Sequence, residues 1–171
     1  MVNTISLVGL EAFQVTVSAV AAPNFSGTIS VPENSVRDSR VRVRTALQQI
    51  GVDAEQRVAI TLSPENAVKH SGSFDVAVAI ATLIATKKLA AAAVEGIVFL
   101  GELSLSGDIR PVRGILVALR GAIAAGFKTA VVPAANAREA SYVDGIEVLV
   151  ASKLARIVEH LSGGEVLDGP A

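Results

Sequence analysis

The chain has 171 residues, 51% apolar and 18% charged, with a formal net charge of −1. One domain with a proper core follows from that length and composition, and the balanced charge excludes global basicity as a nucleic-acid signature, so a basic function must come from a local patch. The absence of cysteine excludes a disulfide framework, a thiol nucleophile and Cys-ligated zinc, and the two histidines, His70 and His160, stand far apart and outside metal-binding spacings, so no metal site is expected.

Residues 5–10 and 13–21 read as strands, the second placing Phe13, Val15, Val17 and Ala19 on one face. Asn24, Ser26 and Gly27 mark a turn, after which 28–31 resumes extended backbone. The run PENSVRDSRVRVRTALQQIG predicts a helix over about 36–49, with Ser35 and Asp38 as a near capping box and Gly51 just past its end. On that helix Val36, Val43, Ala46, Leu47 and Ile50 share one side; Arg37, Arg40 and Arg44 share the neighbouring side, and Arg42 points elsewhere.

RVAITL (57–62) is a strand, and Pro64 and Asn66 loop the chain into KHSGSFDVAVAIATLIATKK. From Phe74 to Thr86 almost every position is apolar or small, which predicts a helix buried nearly all round. Residues 97–103 read as a further strand. After GELSLSGDIRPVRG (101–114), residues 112–125 carry the helical pattern Ile115, Leu116, Leu119, Ala122, Ile123, ended by Gly126. Strand 129–132, a short helix opened by Pro133, strand 146–150 and a helix capped by Ser152 complete the order; SGGEVLDGPA has loop or linker composition. Three opening strands argue against a simple doubly wound sheet. The fold class is α+β, a mixed sheet packed with helices.

No basic segment with an apolar core opens the chain, so no signal peptide is expected, and the longest apolar run, about ten residues, is half of a bilayer span. A cytoplasmic protein without membrane contact is the expectation. Neither GxxxxGK[ST] nor GxGxxG occurs, which argues against ATP binding by this chain alone.

KHSGSFD gathers Lys69, His70, Ser71, Ser73 and Asp75 at the mouth of the buried helix. Free N–H groups there would suit an anion or an oxyanion. The plainer reading is that Ser71 or Ser73 caps the helix and Asp75 offsets its dipole. Arg37, Arg40, Arg42 and Arg44 are the candidates for a DNA phosphate backbone, against a simply solvated face. Glu102, Asp108, Arg110 and Arg113 crowd together in a charge-poor chain; they read as a salt-bridged turn or as a subunit contact.

SLVGLEAFQVTVSAV, PENSVRDSRVRVRTALQQIG, ITLSPENAVKHSGSFDVAVAIATL and FLGELSLSGDIRPVRGILVAL together resemble the N-terminal domain of the ComM (YifB) family, the magnesium-chelatase-like AAA+ ATPases. The resemblance covers about residues 3–162, with GELSLSGDIRPVRG its most specific piece. It implies a fold similar to the proteolytic domain of Lon and the C-terminal domain of RadA. It also implies a hexameric, ATP- and Mg-dependent motor that drives branch migration of DNA in natural transformation, the motor itself lying outside this chain. Residues 1–162 are then the domain and 163–171 a linker towards the absent motor.

Against Lon's KDGPSAG-like motif, KHSGSFD puts Ser73 at the nucleophile's place, with Lys69 nearby. Leu116 stands where Lon's partner lysine would be, and leucine cannot activate a serine. The resemblance therefore implies a non-catalytic accessory domain that contributes DNA contact or ring assembly. A pure subunit-assembly module and a residual serine hydrolase using Ser73 with Lys69 or His70 are the alternatives.

Overall fold

Strands β1 (Val2–Val8) and β2 (Glu11–Ala21) pair antiparallel, from Val2 opposite Val17 to Val8 opposite Glu11. The computed structural model describes residues 1–21, 34–52, 58–63 and 72–170, without the side chains of 34–38. The expected third strand at 28–31 and the Ser35–Asp38 capping pair lie outside that description. Helix α1 (Asn34–Gln49) leads to β3 (Val58–Ser63), which pairs antiparallel with β2. A 3-10 turn, Gly72–Phe74, opens α2 (Asp75–Ala85). Strand β4 (Ile97–Phe99) then lies parallel to β1, Asn3 opposite Val98.

The single strand expected over 97–103 is two elements. The backbone breaks at Gly101, and β5 (Glu102–Leu103) turns away to pair with β6 (Ile109–Arg110) as a separate two-stranded sheet. A Cβ on Gly101 would lie 2.7 Å from the Ile109 side chain and 2.9 Å from that of Val76, so the break needs a residue without one. Helix α3 (Ile115–Ala124) starts three residues later than its pattern suggested, because Gly114 takes a left-handed φ of 72° just before it.

Strand β7 (Thr129–Pro133), the short α4 (Ala137–Ala140), β8 (Glu147–Ala151) and α5 (Leu154–Leu161) complete the chain. Pro133 closes β7 and, as expected, opens a short helical stretch, standing at the N-cap of the 3-10 turn Ala134–Asn136 that runs into α4; Lys153, not Ser152, occupies the cap position of α5. The large sheet runs β3-β2-β1-β4-β7-β8, with β1, β4, β7 and β8 parallel. This is the mixed α/β sheet packed with helices expected from the pattern.

Apolar residues of α1, α2 and α5 fill one side of the sheet, those of α3 and α4 the other. Helix α2 (DVAVAIATLIA) is buried at eight positions from Asp75 to Leu83, as its unbroken apolar run requires. The helices α2, α3 and α5 all begin at the carboxyl edge of the parallel strands, where the β5–β6 hairpin also sits. The tail expected as linker returns to the domain: Leu167 is buried, its N–H donates to His160 Nδ1 at 3.1 Å, and the Val150 N–H donates to the Asp168 carbonyl at 2.9 Å.

Candidate functional site

Where α2 begins, one carboxylate joins three elements. Asp75 has a side chain with 0% exposure, and it accepts four hydrogen bonds. Ser39 Oγ donates at 2.5 Å, Arg42 Nε at 2.7 Å and Arg42 NH2 at 3.2 Å, all from α1; the Leu103 N–H donates at 3.0 Å from β5. The expectation that Asp75 merely offsets the helix dipole is thus corrected: it is buried in the core and fastens both α1 and the hairpin to α2.

Burial pushes the Asp75 carboxyl above its usual value, against the opposing pull of Arg42, Ser39 and the Leu103 amide. Desolvation outweighs the attraction, the usual balance for a buried ion pair. The pair therefore fixes geometry more than it adds stability.

This arrangement sorts the arginines of α1. Arg42, 22% exposed, is turned inward and forked onto Asp75. A guanidinium committed in this way is a poor phosphate ligand, because releasing it strands a buried charge. Arg40 is half-buried and donates to the Val58 carbonyl at 3.2 Å. Arg44 is exposed. The side chain of Arg37 lies outside the described residues, as do Lys69, His70 and Ser71.

Ser73 sits in the 3-10 turn, half-buried, with its carbonyl accepting the Gly101 N–H at 3.1 Å. The Gly101 carbonyl in turn accepts the Val76 N–H at 3.2 Å. The backbone ahead of α2 is consequently stitched to the start of the hairpin. Leu116, at the position compared with Lon's lysine, is on the first turn of α3 and 36% exposed. Among the described residues, no three metal-ligating side chains are gathered together.

The hairpin's charges are brought together in part. Glu102 and Arg110 face each other across its two strands at 3.7 Å, the arginine open to solvent and the glutamate half-buried, and at that distance and exposure their pairing contributes little. Asp108 serves the turn itself: its N–H donates to Ser104 Oγ and its carboxylate accepts from Ser106 Oγ, both at 3.1 Å. Arg113 is exposed beyond the hairpin.

The far side of the hairpin is bolted to α5. Ile109 N–H donates to the Ser152 carbonyl at 2.9 Å, and Leu154 N–H to the Gly107 carbonyl at 3.0 Å. Buried Asn136 holds the 111–114 loop by both ends of its side-chain amide, Oδ1 accepting the Val112 N–H at 2.9 Å and Nδ2 donating to the Val112 carbonyl at 3.0 Å. The 101–114 segment is thus fastened to the domain at several points, with Leu103 and Ile109 buried in the core and Leu105 exposed in its turn.

A family model described as subunit ChlI of Mg-chelatase matches residues 14–136. An uncharacterized protein of Mycobacterium tuberculosis is 36% identical over 169 residues, 97% of this chain and 34% of that protein. The uncharacterized protein YifB of Escherichia coli is 30% identical over 173 residues, covering 99% of this chain and 34% of its own length. Competence protein ComM of Haemophilus influenzae is 31% identical over 163 residues, covering 93% and 32%. The chain spans about a third of the length of these relatives.

Proposed function

Because the chain belongs to the family of subunit ChlI of Mg-chelatase, with YifB and ComM among its relatives, we propose that it is a non-catalytic accessory domain of an ATP-driven motor of that kind. The carrying observation is the start of α2. Two residues past Ser73, the position compared with Lon's nucleophile, Asp75 is engaged in a structural brace with Ser39, Arg42 and the Leu103 amide, which supports this reading. The place of the partner lysine holds Leu116. ATP and magnesium ions are then used in the part of the relatives that this chain does not span. A cytoplasmic location goes with this reading; the lack of cysteine is in keeping with it, and no described helix is long and apolar enough to cross a membrane.

The domain's contribution is contact with a DNA backbone through arginines of α1: the exposed Arg44, the half-buried Arg40, and Arg37, which helical spacing groups with them. Binding of the 171-residue chain to a DNA duplex, followed by fluorescence anisotropy across a salt series, tests this. Replacing these three arginines by alanine should weaken binding and lower the salt slope by about 2–3. Unchanged affinity refutes the contact. A second reading, ring assembly through the 101–114 hairpin, is favoured by the exposed Leu105 in its turn. Light scattering that finds only monomer in wild-type protein at high concentration counts against it.

A further inference from the structure

Residues 164–170 are seated on the domain as a bound peptide would be. They return along α5 to the outer edge of β8, the end strand of the large sheet, and the bonds that seat them are made with residues outside the stretch. The Arg156 guanidinium donates to Glu165 at 2.8 Å and to Glu159 of its own helix at 2.9 Å. The Leu167 N–H donates to His160 Nδ1 at 3.1 Å, and the leucine side chain, 5% exposed, joins the core layer that holds Leu154 and Ile157 of α5. The Val150 N–H donates to the Asp168 carbonyl at 2.9 Å, an antiparallel bridge on the edge of β8 that β7 does not use. The neighbours of Leu167 are open to water, Val166 at 67%. One buried side chain, one ion pair and one main-chain bond to a strand edge make up the way an extended peptide adds to a sheet.

Two glycines join this stretch to α5. Gly163 holds a left-handed φ of 85°, and a Cβ on Gly164 would lie 2.7 Å from the Glu159 side chain and 3.0 Å from its carbonyl oxygen, so the reversal needs both positions without a side chain. The same two residues take up extended backbone without steric cost. When they do, the stretch leaves its own α5 and can make the same seating bonds on another copy. The exchange gives up only the turn's own bonds, Gly163 N–H to the His160 carbonyl at 3.2 Å and Gly164 N–H to the Glu159 carbonyl at 2.8 Å.

We propose that the groove between α5 and the edge of β8 is a binding site for an extended Glu-x-Leu-Asp segment, and that copies of this chain exchange their tails through it. The occupant follows from the fit. Arg156 takes the acid, the apolar layer takes a leucine two residues later, and the edge of β8 takes an extended backbone. A second copy supplies all three at the right spacing in its own Glu165–Asp168. The exchange is independent of the α1 contact with DNA, and it gives the assembly of copies a connector other than the 101–114 hairpin.

A labelled peptide of the tail, SGGEVLDGPA, and the 171-residue chain test this by fluorescence anisotropy. Leu167→Asp unseats the resident tail and opens the groove, so that variant should bind the peptide about 10-fold or more tightly than the wild-type chain, whose own tail competes. The same peptide with alanine for its leucine should bind about 10- to 100-fold more weakly. Circular dichroism verifies the fold, and Leu167→Ala is the milder substitution that carries the test if Leu167→Asp does not fold. Light scattering on wild-type chain refolded from urea at high concentration should find dimers or larger assemblies that Leu167→Asp loses. Failure of the opened variant to bind the peptide, equal binding of the two peptides, or a wild-type chain that stays monomeric overturns the proposal. Association that Leu167→Asp keeps and Leu105→Ser loses also overturns it, and leaves the hairpin as the contact between copies.

Discussion

Replacing Arg42 by methionine keeps most of the side-chain stem and removes the cation. Asp75 then keeps Ser39 Oγ and the Leu103 N–H but loses the two guanidinium contacts at 2.7 and 3.2 Å, at a carboxylate with no exposure to water. Removing one partner of such a pair costs about 3–5 kcal/mol, a large part of an ordinary domain's 5–15 kcal/mol. At about 2–4 °C per kcal/mol for a chain of this size, the melting temperature should fall by roughly 6–20 °C.

The loss carries a pH signature. Asp75 has its folded value raised above 3.8, so its favourable contribution is fully present below 3.8 and is lost as pH rises through the raised value. Arg42→Met raises that value further, so the deficit should be largest near pH 7 and shrink as pH falls towards about 4. Adding Asp75→Asn removes the stranded charge and should recover much of the neutral-pH loss. Urea unfolding followed by far-ultraviolet circular dichroism, at neutral and mildly acid pH, measures all three proteins. A deficit below about 1 kcal/mol, the range of a surface ion pair, or one independent of pH, would refute the bracing role.

Three further outcomes follow from local geometry. Gly121→Ala, which in an open helix adds about 1 kcal/mol, should destabilise this protein, because the new Cβ would run into the Cβ of Ala12 where α3 crosses β2; denaturant midpoints decide the sign. Lys87 closes α2 with a left-handed φ of 60°, and Lys87→Gly should raise stability by about 1 kcal/mol in the same assay. The Thr4 hydroxyl is buried without a hydrogen-bond partner among the described residues, so Thr4→Val should stabilise by about 1–2 kcal/mol; a loss would mean the hydroxyl has a partner when the protein works.

Periodicity carried the fold class, since strands of period two and helices of period 3.6 are local signals. It also turned Arg42 away from the other arginines of α1, in keeping with its inward position. The role of Asp75 was not legible, because its partners lie 33 and 36 residues before it and 28 after it. One signal was available: a single carboxylate heading a helix that is otherwise apolar but for Thr82 must either find donors or break the burial. The break at Gly101 escaped for a similar reason, since FLGEL alternates well enough to pass for one strand, and only the approach of Ile109 and Val76 makes the glycine necessary. The tail's linker composition concealed the burial of Leu167, since the bonds that hold this stretch, Leu167 N–H to His160 and Val150 N–H to the Asp168 carbonyl, are made with residues outside the tail.

The parallel pairing of β1 with β4 places Asn3 opposite Val98, and it sets a timetable for synthesis. At about 5–20 residues per second, roughly 5–20 s separate the emergence of these two partners from the ribosome. The β1–β2 hairpin can form almost at once, but the other edge of β1, destined for the middle of the sheet, must wait through that interval with its backbone groups open to any other strand. Slow, non-local closure of this kind makes β1 the segment whose early exposure most needs guarding while the chain is being made.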